Sequence, residues 1–159
     1  MRIALFLLAM LMPSAVGSAE TRIELPTASE RRIADIASWG TVLTVVALDT
    51  QTSWKAPDPG HAFLLEGLRL GTTYGVVFLA KSLIHRDRPC APDCGIDNPE
   101  SSFFSGHTAG AFQTIGGPRL AFSLPFAVST GTLRVAAGKH WVTDTLVGAG
   151  VGLLTSRIR

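Results

Sequence analysis

Two histidines in the sequence stand among residues that suit nucleophilic attack and proton transfer. His140 and Asp144 lie at positions i and i+4, where a carboxylate can hold an imidazole in one tautomer and support its positive charge. His107 follows Ser105 and Gly106, which are typical of a helix start with Ser105 as the N-cap. One interpretation is an ordinary helix start that contains a histidine. The other is an anion site, because a helix start offers free backbone N–H groups and the positive end of the helix dipole.

Three cationic side chains accompany these groups. Lys81 and Arg88 are seven residues apart, about two helical turns, so we expect both to project from the same face of one helix. Two cations on one face repel each other, and an anion between them is one explanation; a solvated basic helix end is the other. Arg134 precedes His140 by six residues, and a break at Gly138 would let the two side chains converge.

In chain order these residues form three blocks, K-x6-R-P, S-G-H and R-x5-H-x3-D. The combination resembles the type 2 phosphatidic acid phosphatase and vanadium haloperoxidase superfamily. The resemblance implies that His140 attacks phosphorus and becomes a phosphohistidine, with Asp144 orienting it. It implies that His107 protonates the leaving oxygen and later activates water. The groups implied to hold the phosphoryl oxygens are Lys81, Arg88, Arg134, Ser105 and the backbone N–H of Gly106.

Two positions depart from the usual pattern of this family. Phe104 stands where the family often has Pro before Ser-Gly-His, and Leu133 stands where it often has Ser before the third-block Arg134. Phe103 and Phe104 are interpreted either as packing residues or as a wall that selects an apolar leaving group. Every charged and imidazole group of the pattern is present, so the departures bear on substrate fit and rate rather than on reaction type.

Apolar stretches bounded by Gly and Pro predict the helices that must position these residues. Strand signals are scarce. The predicted helices cover residues 29–49, 62–84, 105 to near 116, 120–135 and 140–156. The expected fold is therefore all-α, a compact bundle of about five core helices, and the resemblance implies the acid phosphatase and vanadium haloperoxidase arrangement. These helices are interpreted as a bundle core, with short or oblique membrane helices as the alternative.

The N-terminal segment has the layout of a secretory signal peptide. Residues 1–19 contain Arg2, an apolar run over 3–12 and small residues at 17–19. The run is too short for a confident membrane span, and a retained anchor is the alternative. Residues 20–159 then suit a single phosphatase domain. We expect an exported protein, in the periplasm or at the periplasmic face of the inner membrane.

Composition and cysteine spacing indicate which partners and which disulfide to expect. A net charge of +2 without an aromatic-basic pattern predicts no nucleic acid partner. With 47% hydrophobic and 16% charged residues, the chain is apolar for a soluble domain, which favours membrane association. In an exported protein, the closely spaced Cys90 and Cys94 predict a local disulfide that stiffens a loop.

The function expected from these observations is a metal-independent phosphatase that hydrolyses a phosphomonoester or a pyrophosphate, with a lipid phosphate favoured. No cofactor is expected, because fixed cations and a helix N-terminus can stabilise phosphoryl transfer. One alternative is a non-enzymatic membrane protein that binds phosphate or lipid headgroups; simple binding would need the cations but not His107, His140 and Asp144. The other is a vanadate-dependent haloperoxidase, although that family's chains are usually much longer.

Overall fold

A computed structural model of the chain describes residues 26–94, 98–115 and 120–159. No β-strand occurs in these ranges, apart from an isolated bridge between Arg86 and Ser101. The all-α fold predicted from the sequence is confirmed, whereas the signal peptide expected at residues 1–19 lies outside the described residues. The helices in the described ranges are α1 (Ala28–Trp54), α2 (Pro59–Leu83), α3 (Gly106–Gln113), α4 (Leu120–Ala136) and α5 (Val142–Thr155).

The first two helices begin at residues that satisfy free backbone N–H groups. α1 follows Thr27, whose side chain accepts from the backbone N–H of Glu30 at 3.4 Å, while the Glu30 carboxylate accepts from the Thr27 N–H at 2.8 Å. α2 follows Asp58, whose carboxylate accepts from the N–H of His61 at 3.0 Å, with Pro59 in the first turn. The short connection makes α1 and α2 antiparallel neighbours.

Five helix ends lie at one end of the bundle, called the site end. They are the N-terminal parts of α1, α3 and α5 and the C-terminal turns of α2 and α4. Asp35 of α1 contacts Arg134 of α4, and the backbone N–H of Ser105, before α3, donates to the carbonyl of Asp144 in α5 at 3.1 Å. Because helix N-termini carry partial positive charge, the starts of α3 and α5 favour an anion at the site end, whereas the C-terminal turns of α2 and α4 carry partial negative charge.

Two glycines let α5 lie directly against α3. A Cβ atom added at Gly148 would lie 2.6 Å from the carbonyl oxygen of Ser105, and one added at Gly152 would collide with the backbone of Ala109. The close approach brings the start of α3, with His107, next to the start of α5, with Asp144. The small residues of α5 therefore set the distance between the second and third sequence blocks.

The buried apolar core is small. One cluster joins α1, α3 and α4, and the other joins α2, α3, α5 and the segment before α3. Phe104 is 1% exposed within the second cluster, and Phe103 packs against it, so both serve as packing residues. The buried members of the two clusters are Val42, Val45, Ala111, Ile115 and Ala127, and Val77, Phe104, Ala109 and Val151.

Many large apolar side chains point away from this core. On α1 and α2 they include Trp39, Leu43, Phe78 and Leu79, which are 51%, 59%, 76% and 56% exposed. Both helices are long and apolar enough to cross a membrane by length and composition, and only 22% and 17% of their most apolar windows are buried inside the bundle. The interpretation of these helices as bundle core therefore accounts for only a minority of their residues.

Candidate active site

The start of α3 has the capped geometry that the sequence predicts. The hydroxyl oxygen of Ser105 accepts from the backbone N–H of Thr108 at 3.3 Å and from its hydroxyl at 2.9 Å. Ser105 is fully buried. Gly106 is the first residue of α3, so its N–H points out of the helix start and can donate to an anion.

His140 lies in the turn between α4 and α5 and is 2% exposed. α4 ends at Ala136, and Gly138 takes a positive φ of 67°, which turns the chain where a break was expected. The Nδ1 atom of His140 lies 2.7 Å from the carbonyl oxygen of Ser102. Since a carbonyl only accepts, Nδ1 carries the hydrogen and Nε2 carries the lone pair that a nucleophile needs.

Asp144 is fully buried beside His140 and is held by three donors. Its Oδ2 accepts from the Ser102 hydroxyl at 2.5 Å and from the Trp141 backbone N–H at 3.1 Å, and its Oδ1 lies 2.6 Å from Nη1 of Arg86. The distance from Oδ2 to Nδ1 of His140 is 3.8 Å, longer than a hydrogen bond. The carboxylate therefore acts on His140 through its charge and through Ser102, and not through the direct bond that the spacing suggested.

The protonation states of this pair follow from burial and charge. The pKa of His140 is lowered to about 4, mainly by burial and further by the positive charges of Arg134 and Lys81, whereas Asp144 opposes this shift. Burial by itself raises the pKa of the Asp144 carboxyl, but hydrogen bonds and the Arg86 charge outweigh burial and bring that pKa below its usual value. Near neutral pH the imidazole is therefore neutral and the carboxylate is ionised.

Lys81 and Arg88 converge, but not along one helix face as their spacing predicted. α2 ends at Leu83, so Lys81 is helical while Arg88 lies in the segment that follows. The chain leaves the helix because the backbone of Arg86 pairs with the Ser101 segment across the loop, which satisfies polar groups that a longer helix would have paired internally.

The two cations meet instead at one carbonyl group. Nζ of Lys81 donates to the carbonyl oxygen of Ser101 at 2.6 Å, and Nη2 of Arg88 lies 3.5 Å from the same atom. Arg88 is 9% exposed and also donates to the carbonyls of Asn98 at 2.9 Å and Lys139 at 3.3 Å. These backbone carbonyls fix the positions of both cations and carry no full negative charge themselves, which suits an anion site.

Arg134 lies in the last turn of α4 and is oriented by α1. It is 4% exposed, and its Nη1 donates to the carboxylate of Asp35 and lies 3.4 Å from the hydroxyl of Ser38. A buried guanidinium needs such partners, because an uncompensated charge would make burial costly. α1 therefore holds the third-block arginine in place.

His107, in the first turn of α3, also touches α1. Its ring centroid lies 4.1 Å from that of Trp39, with the two planes at 82°. This edge-to-face contact limits the orientation of the imidazole. The same helix thus positions both His107 and Arg134, although the sequence blocks contain no residue from it.

Cys90 and Cys94 form the predicted disulfide, with Cα atoms 5.0 Å apart. The backbone N–H of Cys90 donates to the carbonyl of Gly138 at 3.0 Å. The carbonyl of Cys94 accepts from Nζ of Lys139 at 2.9 Å. The bridged loop therefore supports the turn that carries His140.

Sequence reasoning did not assign a site role to several residues that contact the catalytic groups. Asp35 was visible as a charge inside an apolar stretch, and Arg86 as part of a basic segment. Neither signal names a partner, because the partners lie far along the chain. The residues missed in this way are Asp35, Ser38, Trp39, Arg86 and Ser102.

The assembled site combines a neutral histidine, a second histidine at a helix start and three fixed cations. The charges of Lys81 and Arg134 lie close enough to His140 to lower its pKa. Such a set can hold the oxygens of a tetrahedral anion and present a nitrogen nucleophile to its central atom. The arrangement therefore suits phosphoryl transfer.

Comparison with known proteins agrees with this chemistry. Residues 63–159 match the family model of the PAP2 superfamily, and the match contains all three sequence blocks. No curated protein and no solved structure matches the chain. Because the family match covers more than half of the chain, the chain belongs to the PAP2 superfamily, whose members are generally phosphatases.

Proposed function

We propose that the chain is a metal-independent phosphatase that hydrolyses a phosphomonoester or a pyrophosphate through a phosphohistidine intermediate. The observation that carries the proposal is the state of His140, which is buried and neutral near pH 7, with Nδ1 held by the carbonyl of Ser102. This state leaves the Nε2 lone pair for attack on phosphorus. The nearby positive charges of Lys81 and Arg134 support it, since they stabilise the phosphoryl oxygens.

The reaction has two displacement steps. First, Nε2 of His140 bonds to phosphorus while the bond from phosphorus to the leaving oxygen breaks, and His107 gives that oxygen a proton. Second, His107 takes a proton from water, the water oxygen bonds to phosphorus, and the phosphorus–nitrogen bond breaks. Phosphate leaves and both histidines return to their starting states.

The apolar surface supports a lipid substrate and a site at the membrane. α1 contains 27 residues, which is about 40 Å of helix, and a bilayer core is about 30 Å thick. Exposed apolar side chains also occur on α4 and α5, including Phe122, Val128 and Leu146 at 55%, 50% and 66%. Surfaces this apolar mark membrane contact in an exported protein. We place the site end at the periplasmic face of the inner membrane.

An apolar groove beside the site can take the tail of such a lipid. It has a volume of about 560 Å³, lies between α3, α4 and α5, and has an almost wholly apolar lining. Three of its lining residues directly follow catalytic-block residues in the chain: Thr108 after His107, Val135 after Arg134 and Thr145 after Asp144. A phosphate held by Lys81, Arg88 and Arg134 and an apolar chain in the groove can therefore belong to one molecule.

The proposal is tested with the full chain in detergent, in EDTA, on a lipid phosphate and on a soluble phosphate ester. We expect turnover of at least one substrate, trapping of an acid-labile phosphoprotein after rapid quench, and loss of both in His140→Ala. His61→Ala is the matched control, because His61 is an exposed histidine in the first turn of α2.

Three results would count against the proposal. Full activity in His140→Ala would remove the nucleophile assignment. Activity abolished by EDTA and restored by a metal would contradict the metal-independent mechanism. Tight phosphate binding without hydrolysis across lipid and soluble esters would favour the non-enzymatic headgroup-binding alternative.

A further inference from the structure

Arg86 stands at an unspecified position of the first sequence block and contacts two other segments of the site end. Its backbone N–H donates to the carbonyl of Glu100 at 2.9 Å, and its carbonyl accepts from the N–H of Ser102 at 2.9 Å. Its guanidinium reaches the start of α5, where Nη1 lies 2.8 Å from the hydroxyl oxygen of Thr143 and 2.6 Å from Oδ1 of Asp144. One residue therefore links the segment after α2, the segment before α3 and the start of α5.

Trp141 extends this link to the turn that carries the proposed nucleophile. The guanidinium carbon of Arg86 lies 5.5 Å from the centroid of the Trp141 indole, a distance at which a cation is attracted to an aromatic ring. Trp141 directly follows His140, and its Nε1–H donates to the carbonyl of Asp87 at 2.8 Å. Its backbone N–H donates to Oδ2 of Asp144 at 3.1 Å. The Arg86 side chain therefore borders the carboxylate and the residue next to the nucleophile at once.

The Asp144 carboxylate lies between a permanent cation and an imidazole. It is fully buried, so an uncompensated negative charge there would be costly. Arg86 provides a positive charge at Oδ1, and Nδ1 of His140 lies 3.8 Å from Oδ2. The same charge offsets the attraction that the carboxylate exerts on a proton at His140.

Charged and titratable groups of every neighbouring element surround this pair. Lys81 and Arg134 act on His140 by their positive charges, and Lys81 also interacts with Asp144. The groups at the site end are Asp35 of α1, Lys81 of α2, Arg88 after α2, His107 of α3, Arg134 of α4 and Lys139 before His140. Replacing the Arg86 side chain leaves all of them in the sequence, so a change in the protonation of the pair is assigned to Arg86.

We propose that Arg86 is a positioning residue, whose guanidinium fixes Asp144 and the turn of His140 and compensates the charge of the carboxylate. The inference rests on the proposed function, because His140 is the nucleophile only in that reaction. Arg86 acts through Asp144 and does not hold the phosphate. Without its side chain, the carboxylate either takes a proton itself or stabilises one on the imidazole, so proton uptake by the pair moves to higher pH.

Arg86→Met and Arg86→Lys test this role in detergent, on a soluble phosphate ester. In Arg86→Met we expect kcat to fall about 10- to 100-fold and KM to stay within about twofold, because hydrogen bonds to a charged group are lost. The acid limb of single-turnover rates should move to higher pH, opposite to the shift expected for Asp144→Asn. Lysine keeps the charge but not the planar fork, so Arg86→Lys should return the limb towards its parental position and restore kcat only in part.

A double variant separates positioning from a general effect on the fold. Arg86→Met combined with Asp144→Asn should be within about threefold of Asp144→Asn alone, because Arg86 acts through that carboxylate. Arg157→Met is the matched control, since Arg157 is an exposed arginine after α5 and its loss lowers the net charge equally. It should keep the parental kcat and acid limb. Circular dichroism establishes that each variant is folded.

Protonation of the pair is also measured without turnover, from histidine ¹⁵N and aspartate carboxyl ¹³C shifts between pH 3 and pH 7. Spectra of His140→Ala and Asp144→Asn assign the two signals. The midpoint of proton uptake should lie at higher pH in Arg86→Met than in the parent chain.

Three outcomes overturn the positioning role. They are a midpoint that does not rise in Arg86→Met, losses that multiply in the double variant, and a rise in KM equal to the fall in kcat/KM, which would make Arg86 a phosphate-binding residue. The proposed function is judged separately by turnover in the parent chain. A parent chain that hydrolyses no ester, but whose midpoint rises in Arg86→Met, would retain the control of the pair by Arg86 and lose the proposed reaction.

Discussion

Ser102 contacts both His140, the proposed nucleophile, and Asp144. Its carbonyl accepts from Nδ1 of His140 at 2.7 Å, and its hydroxyl donates to Asp144 at 2.5 Å. Ser102→Ala keeps the first contact and removes the second. Because a hydrogen bond to a charged group contributes about 1.5–3 kcal/mol, we expect kcat to fall about 10- to 100-fold, with KM nearly unchanged. Steady-state kinetics on a soluble phosphate ester measures both constants.

Ser129→Ala serves as the control for this prediction, since Ser129 is an exposed serine of α4. It should retain parental kinetics. A parental kcat in Ser102→Ala would show that the hydroxyl has no positioning role. A rise in KM equal to the fall in kcat/KM would assign Ser102 to substrate binding instead.

The low pKa of His140 predicts where activity is lost in acid. In the proposed reaction the neutral imidazole is the nucleophile, so the reactive fraction should rise as pH increases through the pKa of His140, which is about 4. We therefore expect the acid limb of phosphoenzyme formation to lie near pH 4 and not near the ordinary histidine value of about 6.5. Single-turnover rates between pH 3 and pH 7 give this limb.

A change at Asp144 tests that assignment. Its carboxylate raises the pKa of His140, so Asp144→Asn should move the acid limb to lower pH while reducing the rate. We expect a rate loss of at least about 100-fold, because the network that orients the imidazole is broken. An acid limb near 6.5 in the parent chain would contradict a buried neutral nucleophile.

The sequence predicts the proposed reacting groups but not the residues that contact them. The motif spacing points to His107, His140 and Asp144 because the resemblance assigns their roles by position in the motif. Asp35 and Arg134 lie 99 residues apart in the chain, and nothing local to either residue specifies the other. The site role of Ser102 is not predicted by its residue type, because one of its contacts is made by the backbone carbonyl, which every residue possesses.

The contact between α3 and α5 depends on the absence of a side chain at Gly148. A Cβ there would lie 2.6 Å from the carbonyl of Ser105, so Gly148→Ala must push α5 away from the start of α3. We expect a stability loss of about 1–3 kcal/mol and a lower kcat, because His107 and Asp144 separate. Denaturant unfolding in detergent and kinetics on a soluble ester measure the two effects.

Gly75→Ala, in α2, is the matched control, because an added Cβ at Gly75 meets nothing within 4 Å. Alanine is a better helix former than glycine, so this variant should gain about 0.5–1 kcal/mol. Equal stability changes at the two positions would mean that α3 and α5 do not approach as closely as described.

The groove between α3, α4 and α5 predicts a selective effect on long apolar substrates. Ala149 lines the groove, and Ala149→Phe fills part of its volume of about 560 Å³. We expect kcat/KM to fall at least about tenfold for a long-chain lipid phosphate, because several buried CH₂ groups lose their site. The value for a soluble ester should stay near that of the parent.

Ala121→Phe, on an exposed part of α4 outside the groove, controls for added aromatic surface. It should leave both substrates unaffected. An equal loss on lipid and soluble substrates in Ala149→Phe would show a distorted site and not a blocked tail.

The elements themselves were largely predictable, since apolar stretches between Gly and Pro clusters give each of the five described helices to within a few residues. The exception is the segment after Lys81. Its spacing is compatible with a continuing helix, but pairing between Arg86 and Ser101 ends the helical geometry at Leu83. Such pairing across a loop depends on the loop's path, which periodicity does not specify.

For the molecule as a whole, the small core and the apolar exterior have one cause. Most of α1 and α2 faces outward, and the site end uses many of the buried positions for polar groups such as Arg134, His140 and Asp144. In water, the outward apolar faces of α1 and α2 would be unfavourably hydrated. A bilayer would supply an apolar environment for these faces, in agreement with the proposed membrane location.

If α1 spans a bilayer, its two ends lie on opposite sides. Ser29 and Lys55 are exposed residues at these ends, separated by about 39 Å of helix, against a bilayer core of about 30 Å. The native cysteines form a disulfide and do not react with maleimides.

In intact cells with a permeabilised outer membrane, an impermeant maleimide should label Ser29→Cys at once and Lys55→Cys only after the inner membrane is opened. Labelling of both positions from outside would mean that α1 does not cross the membrane, and labelling of Lys55→Cys alone would put the site end on the cytoplasmic side.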